Sequence, residues 1–120
     1  MRRTGPTNYV LRITIRKLRK VAREHKALVW RYVAELLQRP ARRRVVVNVS
    51  KINRYSKENE IVVVPGKVLG AGIIDHPVTV AAIGFSRSAV EKIRSAGGRV
   101  MHILELIREN PRGSGVRVII

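Results

Sequence analysis

The stretch Val62–Gly72, VVVPGKVLGAG, runs a β-branched segment into closely spaced glycines and one lysine. Backbone N–H groups and an ammonium in such a loop are the groups that cradle a nucleotide's phosphates. Read as a dinucleotide fingerprint, Gly70-Ala71-Gly72-Ile73-Ile74-Asp75 has the first two glycines but places Asp75 where the third must permit close helix–strand packing. His76-Pro77 follows, and the proline biases His76 toward extended backbone, whereas the fingerprint needs a helix N-terminus aimed at the pyrophosphate. The Walker reading also fails: position 61 is Ile rather than the upstream Gly, and Val68 stands where a Ser or Thr would bind magnesium. The glycines are better assigned to turns with positive φ and to close backbone approach. Lys67 remains free to touch a phosphate from the turn.

Other catalytic arrangements are weaker. His25, His76 and His102 are scattered, with no HExxH or comparable spacing, and the chain has no cysteine, which removes thiolate nucleophiles and the usual zinc sites together. No carboxylate pair stands out. Ser86 and Ser88 fit helix caps better than nucleophiles, because no G-x-S-x-G elbow surrounds them. Pairing in space is left open by the sequence, but the expectation is a protein that is not an enzyme, with no cofactor, metal or small-molecule substrate.

The basic residues carry a stronger signal. The chain holds 25 Lys+Arg against 8 Asp+Glu, a formal net charge of +17, and such a field attracts polyanions. The charge is concentrated at the front: residues 1–44 carry 14 basic residues, beginning with Arg2 and Arg3, against Glu24 and Glu35, for a net +12, and the remainder carries 11 against 6, for a net +5. Arg12, Arg16, Arg19 and Arg23 repeat at helical spacing, and Lys17 and Lys20 widen the stripe. Like charges at (i, i+4) destabilise an isolated helix unless an anion offsets them, so the stripe reads as a polyanion contact as well as an exposed face. Arg42, Arg43 and Arg44 precede a buried-looking strand, where guanidinium groups suited to bidentate contact can grip the phosphates of one backbone segment. Trp30 could stack on a base, but its spacing with Val33 and Leu37 reads as packing.

Elements must position these groups. Thr7 or Asn8 is a reasonable N-cap for a first helix whose Leu11, Ile15, Leu18 and Ala22 line one buried face. A second helix spans Lys26 to Gln38 and stops by Arg39, since Pro40 restricts the residue before it. A strand from Val45 is read through Ile52, followed by a polar turn at 55–59 and a strand at 60–64; the glycine loop comes next, and 78–84 is another strand. The following helix starts at Ser88, with Glu91 at capping-box spacing, or at Ser86, and ends at Gly97-Gly98. A short extended segment at 99–101, a helix carrying Ile103, Leu104 and Ile107, and a strand at 116–120 complete the chain.

At 120 residues, with a core drawn from Val, Ile, Leu and Ala, the expectation is one α/β domain over 1–120, a basic helical region at 1–44 and a mixed strand and helix core at 45–120. No apolar run approaches the roughly 20 residues that span a bilayer, and no signal-peptide pattern is seen, so a soluble intracellular protein is expected. An enzyme using the Gly70 loop, a membrane-surface binder using the basic helix, and a DNA-binding module are the rivals.

Several stretches together resemble a known family. They are Gly66-Lys67-Val68-Leu69-Gly70-Ala71-Gly72, then Val78-Thr79-Val80-Ala81-Ala82-Ile83-Gly84-Phe85-Ser86-Arg87-Ser88-Ala89, and Gly97-Gly98. With Thr7-Asn8, Leu11 and Leu18, Arg39-Pro40-Ala41-Arg42-Arg43-Arg44 and Val46 to Ile52, the chain resembles over nearly its whole length the ribosomal proteins named L-eighteen-e in archaea and eukaryotes and L-fifteen in bacteria. The bacterial branch's long glycine-rich N-terminal extension is absent, which points to the archaeal form. The resemblance implies a structural component of the cytoplasmic large ribosomal subunit, bound to large-subunit ribosomal RNA and neighbouring ribosomal proteins. It also implies an irregular strand–strand–helix wound core behind an N-terminal helical region. The RNA contacts expected on this basis are Arg2, Arg3, Arg12, Arg16, Lys17, Arg19, Lys20, Arg23, Arg42, Arg43, Arg44 and Lys67.

Overall fold

A computed structural model describes residues 6–40 and 43–120, with side chains from Tyr9 onward. Two helices lead, α1 (Pro6–His25) and α2 (Leu28–Leu37). They are followed by β1 (Val45–Asn48), α3 (Val49–Tyr55), β2 (Ile61–Val63), β3 (Gly66–Leu69), β4 (Thr79–Ala82) and β5 (Gly84–Phe85). The chain closes with α4 (Arg87–Ser95), β6 (Arg99–His102), α5 (Ile103–Glu109) and β7 (Val116–Val118). This is the expected α/β class with an N-terminal helical region.

The strands form two sheets, ordered β1-β3-β5 and β6-β4-β2-β7, and every described pairing is parallel. Consecutive strands change sheet after only one or two residues: the chain leaves β2 through Val64-Pro65 into β3, and leaves β4 through Ile83 into β5. Gly66 makes the first switch possible, because a Cβ there would lie 1.9 Å from the Val45 carbonyl oxygen.

The four-stranded sheet is buried on both faces, the usual condition of parallel strands. Alternate residues divide between two cores. Val62, Val64, Val80 and Ala82 meet β1, β3, α3 and α4 on one side through Val47, Val68, Ile52, Ala89 and Ile93. Val63, Ala81 and Met101 meet α1, α2 and α5 on the other through Leu18, Trp30, Val33, Leu37, Ile103 and Leu106.

Three local expectations are corrected, and the choice between two caps of α4 is decided. The described part of helix α1 runs from Pro6, so Thr7 and Asn8 lie within the helix rather than at its cap. The strand from Val45 ends at Asn48, and 49–55 is helix, with Val49 and Ile52 buried at (i, i+3). Gly66–Leu69 is a strand rather than part of a loop, with Val46 opposite Lys67 in register. Ser86, not Ser88, caps α4: its Oγ accepts from the Ala89 N–H at 3.2 Å.

Candidate nucleic-acid interface

Helix α1 buries Leu11, Thr14 and Leu18, and the Thr14 hydroxyl donates to the Val10 carbonyl at 2.8 Å, so a polar side chain sits in the core without an unmet donor. At 100° per residue, Arg12, Arg16, Arg19 and Arg23 fall within an arc of about 60° away from that buried side. All four are exposed, as are Lys17 and Lys20, which continue the basic face round the helix. Among the described residues none of these six cations is in an ion pair; the pairs that exist are Arg31 with Glu35 at 3.8 Å, His76 with Asp75, Arg99 with Glu109, and Arg117 with Glu60.

Two grooves flank the stripe. One, of about 780 Å³, runs between α1 and α2 and is lined by Arg19, Arg23, Lys26 and Arg31 with Ala22, Ala27 and Leu28. The other, of about 290 Å³, lies between α1 and α5, where Lys17, Lys20 and Arg108 meet Glu24. Sequence reasoning missed Lys26, Arg31 and Arg108. Lys26 continues the spacing of Arg12, Arg16, Arg19 and Arg23 one step past the end of α1 and could have been read from it, whereas Arg31 and Arg108 stand on other helices and only packing brings them beside the stripe.

The remaining expected contacts are not gathered with the stripe. Arg2, Arg3 and Arg42 lie outside the described residues. Arg43 is exposed between α2 and β1, whereas Arg44 is half-buried and its Nε donates to the Arg39 carbonyl at 3.4 Å, which closes the connecting loop. Lys67 is exposed on β3, across the four-stranded sheet from α1, so it belongs to a different face.

The glycine loop has the wrong polarity for an anion. Lys92 Nζ donates to the carbonyls of Gly70 at 2.6 Å and Gly72 at 2.7 Å, so the loop directs oxygens at a cation. Two of its N–H groups are in use: Ala71 N–H donates to Asn48 Oδ1 and Asp75 N–H to Asn53 Oδ1, both at 3.1 Å. The glycines serve close approach, since a Cβ on Gly70 would lie 2.0 Å from Ser88 Oγ, and Gly72, at φ 96°, faces Ser50.

One catalytic-looking cluster emerges only in three dimensions. His76 lies 3.0 Å from Ser56 Oγ through Nε2 and 3.2 Å from Asp75 through Nδ1. The Ser56 hydroxyl, however, donates to the Ile52 carbonyl at 2.5 Å. Its proton is therefore directed away from the imidazole, which cannot act as its base, and Ser56 is buried. His102 is also engaged: its Nδ1 accepts from the Leu104 N–H at 3.0 Å at the start of α5, and Glu105 accepts from the His102 N–H. Burial lowers the His102 pKa below the usual histidine value, against a smaller raising effect of Glu105. Trp30 is fully buried and its indole donates to the Pro111 carbonyl at 3.0 Å, so it packs rather than stacking on a base.

A parallel-sheet α/β protein that presents an unneutralised cationic helix has the character of a polyanion-binding structural protein. A family model described as ribosomal proteins 50S-L15, 50S-L18e and 60S-L27A matches residues 12–101. Among curated relatives, the large ribosomal subunit protein eL18 of Archaeoglobus fulgidus is 52% identical over 120 residues, the full length of both chains. Those of Methanopyrus kandleri and Pyrobaculum aerophilum are 53% and 52% identical, over 97% and 98% of this chain and 95% and 96% of theirs. The chain belongs to this family of ribosomal proteins, and that membership supports the expectation of a protein that is not an enzyme.

Proposed function

We propose that the protein is a structural constituent of the large ribosomal subunit in the cytoplasm, working as one unit over residues 1–120 and bound to large-subunit ribosomal RNA and neighbouring ribosomal proteins. The observation that carries this reading is the α1 face: six exposed cations without a carboxylate partner among the described residues, in a chain whose relatives are named as large-subunit proteins. Arg12, Arg16, Lys17, Arg19, Lys20 and Arg23 grip RNA phosphates, release condensed counterions and reduce repulsion between packed RNA segments. Arg2, Arg3, Arg42, Arg43, Arg44 and Lys67 add phosphate contacts elsewhere, with Arg44 also holding its own loop. Structured RNA is recognised largely by shape, so most contacts are to the backbone. The apolar side of α1 is covered by α2 and α5, which disfavours a membrane-surface reading, and no described helix is long and apolar enough to cross a membrane.

The test is sedimentation. The protein is expected to travel with large subunits through a high-salt sucrose gradient. Release into the soluble fraction at modest salt would refute the assignment.

A further inference from the structure

The groove between α1 and α2 differs from the rest of the basic surface because it combines cations with an apolar floor. Arg19 and Arg23 stand on one bank, Lys26 at the turn and Arg31 on the other, four cations against the single carboxylate of Glu35. Ala22, Ala27 and Leu28 line the groove between these cations; Ala27 is buried, whereas Leu28 is 75% exposed and is the apolar side chain open to a ligand. The groove's volume of about 780 Å³ falls in the range of roughly 300–1,000 Å³ typical of small-ligand sites. Phosphate binding alone gives no reason for an open leucine between the banks. An unstacked base does: its face needs an apolar or guanidinium surface, while its own phosphate needs cations at the edge. A paired RNA helix keeps its bases stacked inside and is too wide to enter a groove between two packed helices. Charge complementarity therefore fixes an anionic occupant, and shape fixes an unpaired one.

We propose that this groove seats one unpaired nucleotide of RNA, its base against Leu28 and its phosphates on Arg19, Arg23 and Lys26, with Arg31 paired to Glu35 on the far bank. The inference rests on the RNA-binding reading above and specifies what one part of that surface takes. It makes the α1–α2 hairpin a reader of a bulge or loop, while the remainder of α1 holds paired backbone.

The experiment compares the full-length protein's affinity for a fully paired RNA duplex and for the same duplex with one bulged fluorescent purine analogue. The wild-type protein is expected to prefer the bulged RNA and to change the analogue's emission. Leu28→Asn should lose roughly fivefold or more in affinity for the bulged RNA, in line with loss of the apolar contact of one leucine side chain. Its affinity for the paired duplex and its salt dependence should not change, because no charge is removed. Leu28→Phe should retain the preference. The proposal is overturned if the wild-type protein has no bulge preference, if Leu28→Asn retains it, or if Leu28→Asn loses paired and bulged RNA equally. Failure of the underlying reading has a different signature, namely that the wild-type protein binds neither RNA at moderate salt.

Discussion

Replacing Arg12, Arg16, Arg19 and Arg23 together by Gln tests whether charge position, rather than total charge, directs RNA binding. The substitution lowers the formal charge from +17 to +13. None of the four side chains is buried or ion-paired among the described residues, so the folded state loses no buried side chain and no ion pair. It also sheds like-charge repulsion at Arg12/Arg16, Arg16/Arg19 and Arg19/Arg23, each worth roughly 0.2–0.5 kcal/mol. Stability should therefore hold or rise by about 1 kcal/mol. Gln keeps helix propensity close to that of Arg.

The binding consequence is larger. If each arginine neutralises one phosphate, the slope of log K against log salt should shrink by about 0.7–0.9 per residue, about 3 in all. The assay is titration of a large-subunit ribosomal RNA fragment at several salt concentrations, alongside a thermal melt. The control must remove four charges that have no structural task. Lys92, which holds the glycine loop, Arg99 and Arg117, which are ion-paired, and Arg108, which faces α1, are unsuitable. Lys57, Arg87, Arg94 and Arg112 are exposed and make no described side-chain hydrogen bond or ion pair, so their change to Gln gives the matched variant. Equal losses of affinity and slope in the two quadruple variants, at equal stability, would refute the α1 stripe as a site and leave net charge as the cause.

Other expectations follow from single residues. Gly97 sits at φ 88° just beyond α4, so Gly97→Val should cost roughly 1–2 kcal/mol in a thermal or denaturant melt; an unchanged melt would remove the cap argument. Burial depresses the His102 pKa below that of an ordinary histidine, so the unfolded chain takes up the proton first, and the stability this neutral cap contributes is present above the ordinary histidine value and lost as pH falls through the folded-state value. His102→Asn keeps an acceptor at the cap without titrating there, so its stability should vary less between neutral and mildly acidic pH than that of the wild-type protein. Asp75→Gly completes the G-x-G-x-x-G string yet should bind no dinucleotide in calorimetry, because the Gly70 and Gly72 carbonyls still face Lys92; a stoichiometric isotherm would contradict this.

Legibility in the sequence followed the range of the interactions involved. The inward face of α2 was readable because Trp30, Val33 and Leu37 obey one helical period and all are buried. The exposed α1 stripe was readable for the same reason. Helix α3 was not: the β-branched run Val45-Val46-Val47, with Val49 beyond Asn48, favours strand, and the helix starts where Asn48 Oδ1 accepts from Ala71 N–H and Ser50 N–H donates to the Ala71 carbonyl. Those bonds come from a loop more than twenty residues away. The strand β3 was hidden similarly, since Gly66-Lys67-Val68-Leu69 pairs along β1 at a distance no local window spans. The absence of a phosphate cradle was deduced from missing motif residues, whereas the positive reason, the Lys92 ammonium among the loop carbonyls, depends on a helix that packs beside it.

The distribution of carboxylates explains how such a basic chain keeps folding and binding apart. Of the eight acidic residues, Glu35, Glu60, Asp75 and Glu109 are engaged within α2, between β2 and β7, beside His76, and between β6 and α5. The Glu60 pKa is lowered first by its hydrogen bond from Arg117 and then by the Lys57 N–H, so this carboxylate is committed to holding β7 against the sheet. Helix α1 has only Glu24, exposed beside Lys17 and Lys20. The fold thus spends its acids on its own junctions and leaves α1 repelling itself, a cost offset by the apolar contacts of Leu11 and Leu18 with α2 and α5. On the proposed reading, RNA phosphates neutralise that face. A flexible lysine-rich tail could attract the same polyanion, but on that reading a helix fixed in place by two packed neighbours also sets where along the RNA each charge falls.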